Sequence, residues 1–386
     1  MKYDRIEGID KDISKLVMGC DNQDDINEAS KLWDHWIEVG GNIFDTAFIY
    51  GGGNHEKVFG EWLKNNNRQD VLILGKGAHS PECNPEAISK QLTISLERMK
   101  TDYVDIYIMH RDNTDYPIDE FMDVLNQEKE KGRIKIFGGS NWTIQRFKEA
   151  NEWAEKNNKQ EMSILNNNLA LAKMIKPLWN GCLSSNTEEI LAYLNSSQKS
   201  HMSWSSQARG YFLPDNITQE IEDKITKAET YRAPGENSSG PISCYDSEDN
   251  RERKKRAMEL AEKKGCSAHN IAASWTINQS FPSFALIGPR TIDELDTTLP
   301  CLDIELTKEE INWLNDLYGS YEPAITLEQY GMNESKHYSH SPGNKLKLDR
   351  KLDYLWTNTS WSSGTTHQSA TTLSDHIPIT AIWEVE

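Results

Sequence analysis

The strongest constraint on the fold is a regular alternation of short apolar runs with longer amphipathic segments, from the start of the chain to about residue 300. In the longer segments apolar residues recur at spacings of three and four, which is the period of a helix. The short runs are apolar throughout, which is typical of parallel strands covered by helices. Eight strands are predicted, at residues 14–18, 42–47, 71–77, 103–110, 134–141, 162–168, 201–206 and 284–289.

Eight such units predict an α/β chain folded as a closed (β/α)8 TIM barrel. An open doubly wound sheet is less suitable, because no GxGxxG follows the first strand and the repeat does not divide into halves. In a barrel the active site lies at the carboxyl ends of the strands and in the loops that follow them. One insert there, residues 207–248, is too long for an ordinary loop and is expected to cover the mouth of the barrel.

Composition limits the partners and the compartment. The 386 residues carry a formal net charge of −18, with a pI near 5.1, so most of the surface would repel nucleic acid and anionic membranes. No signal-peptide core and no run of about 18 apolar residues is found, so a cytoplasmic location without a membrane partner is expected. The six cysteines are not closely paired, so neither a metal site nor a disulfide framework is predicted.

Ionisable residues stand at the ends of three neighbouring predicted strands. Asp45 ends the second strand, Lys76 the third and His110 the fourth, and Tyr50 lies in the glycine loop that follows Asp45. Each residue type is more often structural than functional when it occurs alone. Because a barrel brings adjacent strand ends within side-chain reach, we expect the four to share one pocket.

The chemistry of these four groups suits proton donation to an oxygen that is becoming an alkoxide. An ammonium such as that of Lys76 beside the Tyr50 phenol makes the phenol a better proton donor. Asp45 would hold Lys76 in place, and His110 could hydrogen-bond a carbonyl oxygen. Carbonyl reduction also needs a hydride, which no side chain supplies, so a nicotinamide cofactor is implied.

Polar groups at the next strand ends suit the nicotinamide end of such a cofactor. Ser140 and Asn141 end the fifth strand, and Asn166 and Asn167 lie at the end of the sixth. Ser140, Asn141 and one of Asn166 or Asn167 could hydrogen-bond the carboxamide and hold the ring flat.

The last two strand ends suit the phosphates. Ser205 with Ser206 could meet the pyrophosphate, and Gly288 permits close backbone approach. Arg290 could pair with a phosphate, and Thr291 begins a helix whose amino terminus attracts anions.

Five segments, in order over residues 1 to about 318, resemble the aldo-keto reductase superfamily: GGNIFDTAFIYGGGNHEKVFGEWL, LILGKG, YVDIYIMHRDN, GRIKIFGGSNW and ALIGPRTIDEL. By that resemblance Asp45, Tyr50, Lys76 and His110 match the catalytic tetrad, with Tyr50 as proton donor. The family fold is the barrel, and its cofactor is NADPH or, less often, NADH. The resemblance implies reduction of a small-molecule aldehyde or ketone, and it leaves the particular carbonyl and the oligomeric state open.

Some positions of this chain differ from the family pattern, and others indicate its cofactor and its branch within the family. Asn166 stands where a carboxamide-binding glutamine is common, and Glu294, Thr297 and Thr298 stand where other residues hold the adenine. Arg290 matches the position that usually meets the 2′-phosphate, which favours NADPH over NADH. The MHRDN and NQSFP segments resemble the branch nearer to bacterial and potassium-channel β-subunit-like reductases. Some of these relatives regulate a partner, so a cofactor-sensing subunit without significant turnover is the alternative.

The tail has a different composition. We expect the barrel to end near residue 318, a linker over 319–344 and an extension over 345–386 that contains a β-hairpin formed by KLDYLWTNTSW and TTLSDHIPITAIWEVE. The extension resembles the carboxyl end of the endonuclease/exonuclease/phosphatase superfamily, and by that resemblance Asp375 and His376 match a metal-site aspartate and a general-base histidine. The rest of that family's site has no counterpart here, so a fragment without nuclease activity is expected.

Overall fold

The structure is a computed structural model, and it describes residues 1–227, 239–315, 364–368 and 379–383. The chain divides into two compact units, Met1–Asn315 and Asp316–Glu386, which are described separately.

The eight predicted strands form one closed parallel barrel in the first unit, which confirms the predicted fold. A short antiparallel pair comes first, β1 (Tyr3–Asp4) and β2 (Ile13–Ser14). The barrel strands are β3 (Leu16–Gly19), β4 (Ile43–Ala47), β5 (Leu72–Gly77), β6 (Val104–Met109), β7 (Ile134–Ser140), β8 (Ile164–Asn166), β9 (Ser200–Ser203) and β10 (Ser283–Ile287). Consecutive strands are neighbours, and β10 pairs with β3 to close the ring.

Helices follow the strands as the sequence periodicity predicts, except that two helices inside the insert at residues 207–248 were not predicted. They are α1 (Ile26–Glu38), α2 (Asn54–Leu63), α3 (Pro85–Met99), α4 (Ile118–Glu130), α5 (Ile144–Lys156), α6 (Glu188–Ser197), α7 (Asp215–Lys227), α8 (Pro241–Tyr245), α9 (Glu248–Lys264), α10 (Ala268–Ile277), α11 (Ile292–Thr298) and α12 (Lys308–Asn315). Side-chain oxygens of Asp25, Asn84 and Thr143 accept hydrogen bonds from the first turns of α1, α3 and α5. Such caps satisfy backbone N–H groups that a helix leaves unpaired, and so they determine where these helices begin.

An aromatic cluster packs β4 against α1 and α2. The ring centroids of Phe44 and Trp62 lie 4.9 Å apart, and those of Trp33 and Phe59 lie 5.4 Å apart. Because side chains alternate across a strand, Phe44 faces these helices while the next residue, Asp45, faces the barrel interior. The cluster therefore fixes the strand end that carries Asp45.

The β1–β2 pair lies against the amino-terminal side of the barrel. Gly8 in its connection has a φ of 88°, and a Cβ at this position would lie 2.5 Å from Ile136 Cγ2 on β7. Only glycine allows this close contact. The pair was not predicted, because strands of two residues have no measurable hydrophobic period.

The long insert contains helices α7 and α8. Glu222 on α7 accepts hydrogen bonds from the backbone N–H groups of Ile242, at 2.8 Å, and Ser243, at 3.2 Å, at the start of α8. This carboxylate caps α8 and ties the two helices together. Residues 228–238 lie outside the described residues, so cover of the barrel mouth by the insert stays a prediction.

The second unit is described only at two strands, β11 (Gly364–Gln368) and β12 (Ile379–Trp383), which pair antiparallel with Gly364 opposite Trp383. The strand β12 falls in the second predicted segment, whereas β11 lies between the two predicted segments. The GTTHQ sequence of β11 has no apolar alternation, so backbone pairing rather than side-chain pattern identifies it. Asp375, His376, residues 351–361 and the predicted linker 319–344 lie outside the described residues.

Among the helices of the described residues, none is both long enough and apolar enough to cross a membrane.

Candidate active site

Strand register brings the carboxyl ends of β4, β5 and β6 together. Ala47 pairs with Lys76, and Lys76 pairs with Ile108, two residues before His110. The Lys76 ammonium donates a hydrogen bond to the Asp45 carboxylate. Both residues are almost completely buried, with 3% of Lys76 and 4% of Asp45 exposed. This ion pair therefore lies inside the barrel, shielded from water.

Tyr50 lies over the ion pair. It begins the 3-10 turn Tyr50–Gly53, and its ring centroid is 4.9 Å from Lys76 Nζ. The His110 ring approaches the Tyr50 ring edge-on, with centroids 5.8 Å apart and planes at 82°. The four residues expected to share a pocket thus lie within one cluster at the carboxyl ends of adjacent strands.

Burial determines the charge states of two members of this cluster. It raises the pKa of Asp45 to about 6, although the neighbouring Lys76 ammonium acts in the opposite direction. Burial also holds the pKa of His110 well below its usual value, with further lowering by His79 and Lys76. Near neutral pH the cluster therefore combines a buried lysine–carboxylate pair with a neutral imidazole, which can donate one hydrogen bond.

The ends of β7 and β8 place three of the predicted carboxamide-binding residues close together. Asn141 Nδ2 donates to Ser140 Oγ at 3.1 Å, and Asn141 Oδ1 accepts from the Leu183 backbone at 3.0 Å. Asn166 Nδ2 donates to the Met202 carbonyl at 2.6 Å. Its Oδ1 is buried and has no hydrogen-bond partner among the described residues. A buried acceptor of this kind could accept a hydrogen bond from the amide NH₂ of a bound molecule.

Asn167 is held differently from Asn166. Its Oδ1 accepts from the Trp142 backbone N–H at 3.1 Å, and its Nδ2 donates to the Trp142 carbonyl at 2.9 Å. Both ends of this amide therefore bind the loop after β7. The sequence left Asn166 and Asn167 as alternatives. Of these two, Asn166 is the one whose side-chain oxygen has no hydrogen-bond donor among the described residues.

The residues predicted to bind the pyrophosphate also differ from one another in their burial and in their contacts within the protein. Ser206 is buried, and its hydroxyl donates to the Leu286 carbonyl of β10 at 2.7 Å. Ser205 is half-buried, with a φ of 49°. Gly288 is exposed after β10, and its carbonyl accepts from Asn22 Nδ2 at 3.2 Å. Ser206 thus joins the loop after β9 to β10, whereas Ser205 and Gly288 lie nearer the solvent.

The segment after Gly288 carries an exposed cation. Thr291 Oγ1 caps α11 by accepting from the Glu294 backbone at 3.2 Å, and Glu294 Oε2 accepts from the Arg290 backbone at 2.7 Å. The hydroxyls of Thr297 and Thr298 donate to the Glu294 carbonyl at 2.9 and 3.2 Å. The Arg290 guanidinium is exposed and has no partner within the part of the chain that the structure describes. It is therefore the group in this segment that is available to an anion.

Three further residues near the site were not predicted. The His79 ring lies 4.9 Å from the His110 ring, with His79 Nδ1 2.7 Å from the Ser80 carbonyl. Trp179 and Trp204 stack with centroids 5.2 Å apart, and Trp204 directly precedes Ser205. The strand end SWSS could have indicated Trp204, because a large aromatic side chain stands beside polar strand-end residues. Nothing local in the sequence distinguishes His79 or Trp179.

A sequence profile of the Aldo/keto reductase family matches residues 18–318 of the chain. The match spans the barrel, ends before the tail and lends no support to a nuclease-like resemblance there.

Individual relatives are distant in sequence but similar in length. An uncharacterized oxidoreductase, YrpG, of Bacillus subtilis is 24% identical over 330 residues, covering 79% of this chain and 92% of that protein. Norsolorinic acid reductase stcV of Emericella nidulans is 27% identical over 307 residues, covering 75% and 71%. Versiconal hemiacetal acetate reductase of Aspergillus parasiticus is 26% identical over 360 residues, covering 82% and 97%.

Among solved structures, the thermostable aldo-keto reductase Tm1743, crystallised with the inhibitor epalrestat, superposes with a TM-score of 0.63. The alignment covers 82% of this chain and all of that one, at 20% sequence identity. This similarity independently supports the barrel fold.

Proposed function

This chain belongs to the Aldo/keto reductase family, and on that premise we propose that it reduces an aldehyde or ketone to an alcohol with NADPH as the preferred hydride donor. Membership and the reductase relatives make it an NAD(P)H-dependent oxidoreductase. The observation that carries the finer proposal is the position of the Tyr50 ring, 4.9 Å from the ammonium of a buried lysine.

Tyr50 is the proton donor in this proposal. The Lys76 ammonium stabilises the negative charge that forms on the phenol oxygen as the proton leaves for the substrate oxygen. Asp45 keeps Lys76 in place and offsets the cost of burying its charge. His110, neutral because of its burial, donates a hydrogen bond that orients the carbonyl oxygen.

The residues present fit a nicotinamide dinucleotide. Asn166 Oδ1 is a buried acceptor without a partner among the described residues, and a carboxamide NH₂ would satisfy it. Ser140 and Asn141 lie beside it on β7 and its following loop. Ser205 and the exposed Arg290 would contact the phosphates, with Arg290 meeting a 2′-phosphate. When bound, the nicotinamide supplies the hydride.

A direct test follows NADPH oxidation by the purified protein with a panel of aliphatic and aromatic aldehydes and ketones. We expect turnover with at least one carbonyl class and tighter binding of NADPH than of NADH in fluorescence titrations. Tight NADPH binding without turnover, together with a stable complex with another protein, would instead support a cofactor-sensing regulatory subunit.

The proposal predicts an acidic limb in the pH profile of kcat. Lys76 needs the ionised Asp45 as its partner, and the pKa of Asp45 is about 6, so kcat should rise as the pH increases through about 6. Burial holds the pKa of His110 well below its ordinary value, so we attribute the limb to Asp45 rather than to His110. Asp45→Asn should have a lower kcat and no such limb. If Asp45→Asn keeps the limb of the wild type, another group titrates there.

Asp45 also gives stability a pH dependence of defined sign. Its pKa in the folded protein, about 6, is above the ordinary value of 3.8. The protonated Asp45 carboxyl therefore makes its full contribution to the free energy of unfolding below pH 3.8, and this contribution is lost as the pH rises through about 6.

A further prediction concerns cofactor choice. Arg290→Gln should weaken NADPH binding about tenfold or more, the value of a charge-assisted hydrogen bond, and should leave NADH binding unchanged. Fluorescence titration with both dinucleotides measures this. The control is Arg5→Gln, an exposed arginine on the β1–β2 pair whose Nε lies 2.7 Å from Asp12. If Arg290→Gln weakens the binding of NADPH and NADH equally, Arg290 contacts a phosphate that both dinucleotides have.

A further inference from the structure

Apart from Tyr50 itself, the Tyr50–Gly53 turn consists of glycines, which have no side chains to hold its shape. Three glycines follow Tyr50, and all have positive φ values, 55° at Gly51, 61° at Gly52 and 92° at Gly53. Glycine adopts such angles readily, but it also has the greatest backbone freedom. The position of Tyr50 therefore depends on groups that pack against the turn from elsewhere.

One of these groups is Arg98 on α3. A Cβ at Gly53 would lie 2.3 Å from Arg98 Cζ, so the guanidinium lies directly against this glycine. Arg98 Nη1 donates to the Phe48 carbonyl at 2.8 Å and pairs with the buried Glu56 carboxylate at 2.9 Å. Arg98 thus holds the far side of the turn, away from Tyr50.

The other group is His55 on α2. A Cβ at Gly51, the residue after Tyr50, would lie 2.7 Å from His55 Nε2. The ring centroids of His55 and Tyr50 are 6.5 Å apart. His55 therefore supports the near side of the turn, where a small shift moves the phenol directly.

His55 is in turn oriented by Asp24, in the loop between β3 and α1. His55 Nε2 lies 2.9 Å from Asp24 Oδ1, and the His55 side chain is 8% exposed. Asn54 Nδ2 also reaches the Asp24 carbonyl, at 3.5 Å. Since a carboxylate only accepts, His55 Nε2 carries the hydrogen, and the ring orientation is fixed by this contact.

The loop that presents Asp24 is anchored at both ends. Asn22 Nδ2 and Gln23 Nε2 donate to the carbonyls of Gly288 and Pro289 after β10, at 3.2 and 3.4 Å. Asp25 Oδ1 accepts from the backbone N–H groups of the first turn of α1. The backbone on both sides of Asp24 is therefore held in place, although the Asp24 side chain itself is 77% exposed.

We propose that Asp24 and His55 form a positioning pair that fixes the Tyr50 turn through Gly51 and so places the phenol for proton donation. This inference rests on the proposed function, in which Tyr50 is the proton donor. In this role His55 acts on Tyr50 through the backbone of the turn. A displacement of about 1 Å at a reacting group can cost about a hundredfold in rate.

The test compares His55→Ala with His55→Gln, which keeps an N–H donor for Asp24. We expect His55→Ala to lower kcat about tenfold or more with little change in KM for NADPH, and His55→Gln to recover part of the loss. The matched control is His35→Ala, which removes another His–Asp contact, 2.8 Å from His35 Nε2 to Asp296 Oδ1, between α1 and α11. This control should keep the kcat of the wild type.

A second measurement does not depend on turnover. Hydrogen exchange should become faster in His55→Ala at the Gly52 and Asn54 amides, which donate to the Ile49 and Gly51 carbonyls. An active wild type with an unchanged kcat in His55→Ala, or unchanged exchange in this turn, would overturn the positioning role. If the wild type reduces no carbonyl, the proposed function fails, and exchange alone decides whether the pair holds the turn.

Discussion

Tyr50→Phe is expected to lower kcat for carbonyl reduction about 10²–10⁴-fold, the usual contribution of a positioned general acid. The substitution removes the phenol proton, whereas the ring can keep its place 4.9 Å from Lys76 Nζ. NADPH binding should be unaffected, because the proposed carboxamide and phosphate contacts come from other strand ends. Steady-state NADPH oxidation and fluorescence titration measure the two effects separately.

The matched control for this loss of a hydroxyl is Tyr193→Phe. Tyr193 lies on α6, where its ring centroid is 6.2 Å from Phe147 and 5.2 Å from Lys148 Nζ. We expect this variant to keep the kcat of the wild type. Equal rates in wild type and Tyr50→Phe would remove Tyr50 from the mechanism and leave the family fold untouched.

Lys76→Met is expected to lower the free energy of unfolding by about 3–5 kcal/mol at pH values well above 6, the cost of leaving a buried charge without its partner. Asp45 is 4% exposed, and Lys76 is its hydrogen-bonded counter-charge. Lys76 lowers the pKa of Asp45, so in this variant the carboxyl takes up its proton at a higher pH than in the wild type, and the loss becomes smaller once the carboxyl is protonated. Carbonyl reduction should also fall, because Tyr50 loses the neighbouring ammonium.

The double variant Asp45→Asn with Lys76→Met separates these two effects. It removes both charges, so urea titration should show most of the stability recovered, while activity stays low. Lys31→Met is the control, since its pair with Glu28 is exposed and screened by water and should contribute little to stability. If Lys76→Met destabilises no more than Lys31→Met, the buried pair is not a source of stability.

The barrel could be predicted because its signals are local. Most barrel strands carry an apolar run, and helices such as α1 and α5 carry both their period and their capping residue. The β1–β2 pair and β11 were not predicted, because these strands lack a local hydrophobic pattern. Backbone hydrogen bonds, which any sequence can make, define them instead.

The catalytic cluster could be predicted because the fold brings strand ends together. Once β4, β5 and β6 are adjacent, Asp45, Lys76 and His110 must lie near one another. The supporting contacts of the Tyr50 turn could not be found this way. Asp24 and His55 are 31 residues apart and belong to a loop and a helix, which share no period that would relate them.

Sequence by itself determined the eight barrel strands, most of the helices and the ionisable groups at the barrel mouth, because these depend on residue type and local spacing. Only the tertiary structure decided which polar groups still need a partner. Asn166 and Asn167 are adjacent and chemically identical, yet the Trp142 backbone satisfies both ends of Asn167 and leaves Asn166 Oδ1 without a donor among the described residues. That difference arises from contacts with other strands and loops, which place a carbonyl or an N–H at one side chain and not at its neighbour.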